Sequence, residues 1–222
     1  MPHEIVDHAT WLKARQDLLV KEKQHTQARA ELARQRRELP WVKLEKNYTF
    51  TGPDGEVALS DLFEDSSQLA VYHLMFGRGW EAPCIGCTQW ANALNGTTAS
   101  FVKADARLIA ISRAPIEEIA RQREKLGWTF TWVSSDACDF NVDFYASADD
   151  TNGTTSQPVG GQSSGAGTER VHFDRGENHG VSVFCKNDAG EIFHTYSAYN
   201  RGIEALNGAF GYYDLLPKGR AW

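Results

Sequence analysis

The chain has 222 residues, a formal charge of −6, eleven Phe, seven Trp and four Cys. That length suits one large domain, or one domain with an appendage, and the acidic balance excludes nucleic-acid binding through an overall basic field. No apolar run is long enough to span a membrane and Met1-Pro2-His3-Glu4 lacks the regions of a signal peptide, so no membrane partner and a cytoplasmic location are expected.

Residues 11–46 hold ten Lys/Arg and five Asp/Glu, a net of +5 that leaves −11 on the rest. Within this basic stretch, Thr10 to Leu39 contains no Gly or Pro and is rich in helix formers, which predicts one long helix stopped by Pro40. Trp11, Leu18, Leu32 and Leu39 repeat every seven residues, but His25 interrupts them and Lys21 and Gln35 fall between. The pattern falls short of a coiled coil and suits a helix lying along the body or along a second copy, making a homodimer through this helix one expected assembly. The expected division is a helical extension over 1–46 and a domain over 47–222.

Tyr48-Thr49-Phe50 and Val57-Ala58-Leu59 flank Gly52-Pro53-Asp54-Gly55, a hairpin signature. An apolar strand from Leu69 to Phe76 follows, then Cys84-Ile85-Gly86-Cys87, then a segment from Thr88 to Leu94 that can continue as a helix. Ala106 to Ile111 reads as a second apolar strand. Pro115 opens a helix that runs to Leu126 and stops at Gly127, and Trp128 to Val133 reads as a short strand. Residues 146–170 are dominated by Ser, Thr, Gly, Asp and Gln, too few apolar side chains to offset ordering entropy, so a flexible insertion loop is expected there. Val181–Phe184 and Glu191–Tyr196 form a second predicted hairpin around Lys186-Asn187-Asp188-Ala189-Gly190, and a short helix over Gly202–Ala209 ends the series.

A strand–helix–strand unit followed by a hairpin and a final helix is the thioredoxin arrangement, an α/β fold with a mixed sheet flanked by helices. In that frame the cysteine pair sits at the first turn of a helix. There, unpaired backbone N–H groups and the helix dipole favour a thiolate, and a thiol pKa can fall to between about 3.5 and 7.5. Cys84 is the expected nucleophile and Cys87 the resolving thiol. Arg78 is the nearby cation in sequence, and Glu81 opposes the thiolate. Trp80 and Trp90 are candidates for an apolar rim, and Pro83 restricts the backbone ahead of the helix. A zinc site lacks a second CxxC, and His172, His179 and His194 show no compact ligand spacing, so no metal is expected. Cys138 and Cys185 read as small packed residues.

Several stretches together resemble a thioredoxin-like family known as domain of unknown function 899. They are Leu39-Pro40-Trp41-Val42, Val71-Tyr72-His73-Leu74-Met75-Phe76-Gly77, the cysteine pair, Ile111-Ser112-Arg113-Ala114-Pro115 and Gly127-Trp128-Thr129-Phe130. They continue through Trp132-Val133-Ser134-Ser135 with Asp139-Phe140-Asn141, His194-Thr195-Tyr196-Ser197 and Leu216-Pro217-Lys218-Gly219-Arg220. The resemblance implies a dithiol–disulfide oxidoreductase of unassigned substrate, acting on a disulfide- or thiol-containing protein or small molecule with no cofactor beyond its own disulfide. Family members often carry Pro-Ser between the cysteines where this chain has Ile85-Gly86. Thioredoxin-like folds usually place a cis-proline just before the first strand of the last hairpin, where this chain has His179-Gly180. The expected substrate-binding residues are Trp80, Pro83, His179 and Gly180. Two other classes stay open. A thiol peroxidase of peroxiredoxin type would need a threonine three residues before its cysteine, where Glu81 stands, with Arg113 as a possible cation. A non-enzymatic redox-sensing or interaction module would use the basic helix to contact a partner.

Overall fold

The computed structural model describes residues 3–148 and 175–220, so most of the expected loop at 146–170 lies outside the described residues. The chain divides into two compact units, Met1–Pro40 and Trp41–Trp222.

The first unit carries the predicted long helix, α1 (His8–Arg37). Asp7 caps it by accepting from the Thr10 N–H at 2.7 Å, and Arg34, Arg36 and Arg37 complement the dipole in its last turn. None of its residues is buried. Its regularity therefore rests on local propensity and on surface pairs such as Arg34 with Glu31 and Glu38.

The second unit is built on one eight-stranded mixed sheet. Its strands are β1 (Val42–Lys43), β2 (Thr49–Gly52), β3 (Gly55–Ala58), β4 (Gln68–His73), β5 (Ala106–Ser112), β6 (Trp132–Ser134), β7 (Gly180–Lys186) and β8 (Ile192–Tyr199). They lie in the order β1-β8-β7-β4-β5-β6-β2-β3. β4, β5 and β6 run parallel, and β7 and β8 return antiparallel beside β4. The order β8-β7-β4-β5 is the thioredoxin arrangement expected from the element series, and the hairpin β2–β3 extends the far edge through β6.

The helices of this unit are α2 (Ile85–Asn95), α3 (Thr98–Phe101), α4 (Ile116–Leu126), α5 (Phe140–Asp143) and α6 (Gly208–Tyr213). Pro115 precedes α4 as its cap, Glu117 and Glu118 fill its first turn, and Gly127 ends it. The short strand expected from Trp128 starts only at Trp132, because Trp128 and Phe130 turn into the core beside Trp132. The expected C-terminal helix is split into a 3-10 segment over Asn200–Leu206 and α6, with Asn207 capping the latter through the Ala209 N–H.

Central strands buried on both faces read as continuous apolar runs, as β4 and β5 do. Successive side chains nevertheless alternate. Tyr72 and Leu74 join Ala110, Trp132 and Cys87 in a core on one face of the sheet. Leu69 and Val71 join Ile109, Ile111, Phe140 and Phe184 in a second core on the other.

Candidate active site

The site forms where β4 ends and α2 begins. Cys84 is the N-cap of α2, with extended backbone (ψ 134°) that lets its carbonyl accept from the Thr88 N–H at 2.9 Å and the Thr88 hydroxyl at 3.0 Å. Its own N–H donates to the Met75 carbonyl at 3.0 Å, tying the start of the helix to the end of the strand. Pro83, buried, holds the approach to this cap. Gly86 leaves room over the first turn, since a Cβ there would stand 3.9 Å from the Cys84 sulfur. Ile85, between the two cysteines in sequence, is 83% exposed.

Cys84 is half-buried and Cys87 is 2% exposed. None of the four cysteines is joined in a disulfide. The Cys87 S–H is hydrogen-bonded to the Cys84 sulfur, and that bond together with burial pushes the Cys87 thiol up, while Tyr72 and the Met75 backbone beside it act in the opposite direction. The pair is thus asymmetric: an outer sulfur at the positive end of an eleven-residue helix, and an inner one that keeps its proton.

The aromatic surroundings follow from α2. Trp90, one turn beyond the thiols, stacks near Tyr72 (centroids 6.4 Å, 19°), tilts against His179 (6.4 Å) and meets Phe210 edge-on (5.7 Å). His179 lies ahead of β7, where burial lowers its pKa, and its backbone N–H donates to the Asn178 side chain at 2.9 Å. Gly180 opens β7, pairing with His73 on β4 and Tyr199 on β8. The fold therefore sets Cys84, Cys87 and Pro83 together at the helix start, and brings His179 toward that end of β4 through Trp90.

Trp80 belongs to a neighbouring cluster. Its indole lies over Gly77, while Arg175 sits 3.8 Å above its ring. Beneath it are the buried Glu177, accepting from the Ser147 hydroxyl at 2.6 Å, and Arg113, 3.9 Å from Glu177. Arg78 pairs with Asp136, and the Glu81 carbonyl accepts from the Gln122 side chain at 2.8 Å. A cavity of about 260 Å³ opens here, lined by Phe76, Trp80, Glu81, Glu118, Arg121 and Gln122.

Sequence reasoning left Tyr72, Glu177 and Ser147 out of the site. The signal for Tyr72 lay in period-two alternation: it shares its face of β4 with Leu74, the face onto which the cysteine-bearing helix folds. For Glu177 and Ser147 the sequence carries no comparable signal, because Glu177 meets Ser147 and Arg113 across segments far apart in the chain. Among the described residues, no three His, Cys, Asp or Glu side chains gather as a metal site, and no helix is long and apolar enough to cross a membrane.

A family model described as "Bacterial protein of unknown function (DUF899)" matches residues 1–222. No curated protein matches the chain. Among solved structures it is similar to a cysteine-to-serine mutant of Xylella fastidiosa PrxQ, at 15% identity over 78% of this chain and 95% of that one, with a TM-score of 0.48. Xanthomonas campestris peroxiredoxin Q aligns at 14% identity over 73% of this chain and 86% of that one, with a TM-score of 0.49. A Chlorobium tepidum protein provisionally assigned as the thiol:disulfide interchange protein DsbE aligns at 13% identity over 78% and 94%, with a TM-score of 0.43. At such identities, assignment of the chemistry rests on this chain's own residues.

Proposed function

The chain belongs to this family of bacterial proteins of unknown function, and for it we propose a thiol–disulfide oxidoreductase acting through the Cys84–Cys87 pair. The observation that carries the reading is the placement of the two thiols at the start of α2, with half-buried Cys84 as its N-cap and buried Cys87 in its first turn. The Cys84 thiolate attacks one sulfur of a substrate disulfide RS–SR, forming a Cys84–SR mixed disulfide and releasing RS⁻. The Cys87 sulfur, once deprotonated, attacks Cys84, closes the protein disulfide and expels the second RS⁻. Two electrons pass from the dithiol to the substrate, and the two thiol protons end on the two RS⁻ groups. Exposed Ile85 offers an apolar contact for a disulfide-bearing protein or small molecule at the reacting sulfur.

Dithiothreitol-reduced protein is expected to reduce insulin. Cys84→Ser should abolish that activity, and Cys87→Ser should trap a mixed disulfide on Cys84 visible by mass spectrometry. Trapping on Cys87 in the Cys84→Ser variant instead would reverse the assigned order. The peroxidase reading finds less support in the geometry, because the half-buried Arg113 is engaged with Glu177 and the Ala148 carbonyl. Rapid consumption of hydrogen peroxide with little disulfide reduction would nonetheless select it.

A further inference from the structure

Resolution of a mixed disulfide puts a negative charge on the more buried of the two sulfurs, and a buried thiolate survives only where donors are aimed at it. Two groups face the Cys87 sulfur from β4 and the loop that follows it: the Met75 backbone N–H and the Tyr72 hydroxyl. Tyr72 is 1% exposed and packs with Cys87, Met75 and Ala91. Its hydroxyl makes no hydrogen bond of ordinary geometry in the dithiol state. An unsatisfied buried hydroxyl is costly, and Phe would fill the same slot against Trp90 without that cost.

We infer that Tyr72 is a catalytic residue of this site, its hydroxyl donating a hydrogen bond to the Cys87 thiolate in the step that closes the Cys84–Cys87 disulfide. The inference rests on the dithiol reading given above. Burial and the neighbouring cysteines hold the Tyr72 phenol well above its ordinary range, so Tyr72 keeps its own proton and cannot serve as the base. The proton lost by Cys87 passes to water and is returned to the departing RS⁻. In the reverse direction Cys87 is the leaving group when the protein disulfide is reduced, and the same donor stabilises it.

The test uses the full chain with Cys138→Ser and Cys185→Ser, mixed with excess dithiobis(nitrobenzoate) in a stopped-flow instrument. A first release of thionitrobenzoate reports attack by Cys84 and a second reports closure by Cys87. Tyr72→Phe is expected to leave the first phase unchanged, which also shows that the start of α2 is intact. It should slow the second phase roughly ten- to a hundredfold, the range for a hydrogen bond to a charged group, and move its pH profile upward. Tyr72→Met, which also fills the space without a donor, should do the same. Two phases with an unaltered second rate in both variants would overturn the role of Tyr72 and leave the dithiol reading standing. A single phase in the Cys138→Ser, Cys185→Ser background that keeps Tyr72, with Cys87 never closing, would overturn both.

Discussion

An added Cβ at Gly180 would lie 2.3 Å from a ring carbon of Tyr199 and 2.8 Å from the Ala198 carbonyl oxygen. Neither neighbour can withdraw easily: the carbonyl is backbone, and the Tyr199 ring is buried with its hydroxyl donating to the Phe144 carbonyl at 2.5 Å. The side chain missing at this position is therefore what lets β7 and β8 close beside the end of β4. Gly180→Ala is expected to lower stability by about 1–3 kcal/mol, an overpacking cost, measured as a fall in the urea midpoint. An unchanged midpoint would mean that Tyr199 relocates at no cost. His179 stands just ahead of β7, the position that comparison with thioredoxin-like folds led the sequence to expect. What it could not foresee was Trp90 standing against both His179 and Tyr72, since a tryptophan in an amphipathic helix reads equally well as core.

Among the elements, α2 is held at both ends by different means. Its start is tied through Cys84 and Met75, while near its far end two asparagines reach the loop after α4. Asn92 accepts from the buried Trp128 indole N–H at 2.8 Å, and Asn95 accepts from the Thr129 N–H at 2.7 Å. Asn92→Leu strands that indole donor and should cost about 1–3 kcal/mol in chemical denaturation. Loss of a few tenths or less would show that water replaces the asparagine. Elements with strong local signals were legible in the sequence: the Gly-Pro-Asp-Gly turn, the apolar β4, and α4 with its proline start and glycine stop. β1 was not, because two residues carry no period and its pairing with His194 and Phe193 joins positions about 150 apart. The four-residue helices α3 and α5 escaped for the same reason, being too short to show a helical repeat. The placing of two cysteines at the start of a helix was legible from spacing and context. Tyr72, packed in one core with Cys87, hid inside an apolar run.

For the molecule as a whole, the sheet separates two interiors of different chemistry. Opposite the thiols, a polar chain runs from the buried His73 Nε2 to the Ser182 hydroxyl (2.8 Å), on to the half-buried Ser197 hydroxyl (2.8 Å), and to His194 Nε2 (2.7 Å). Burial lowers His73 from 6.5 to about 4, and burial lowers His194 and His179 as well. The unfolded chain thus binds protons at these sites before the folded one does. Stability should be full above pH 6.5 and fall progressively as pH drops toward 4, by about 3 kcal/mol from His73 alone. Urea unfolding across that window checks this, and a flat profile would contradict it.

One strand serves both interiors. Tyr72 and His73 are consecutive on β4 and face opposite sides of the sheet, one toward the thiols and one toward the histidine–serine chain. Inserting or deleting a single residue upstream in β4 would exchange their faces, placing an imidazole beside Cys87 and a phenol against Ser182. Substitution can explore either side of this strand independently, but a change of length cannot. The segment from Gln68 to His73 is thus one whose length descent must hold constant even where its letters drift.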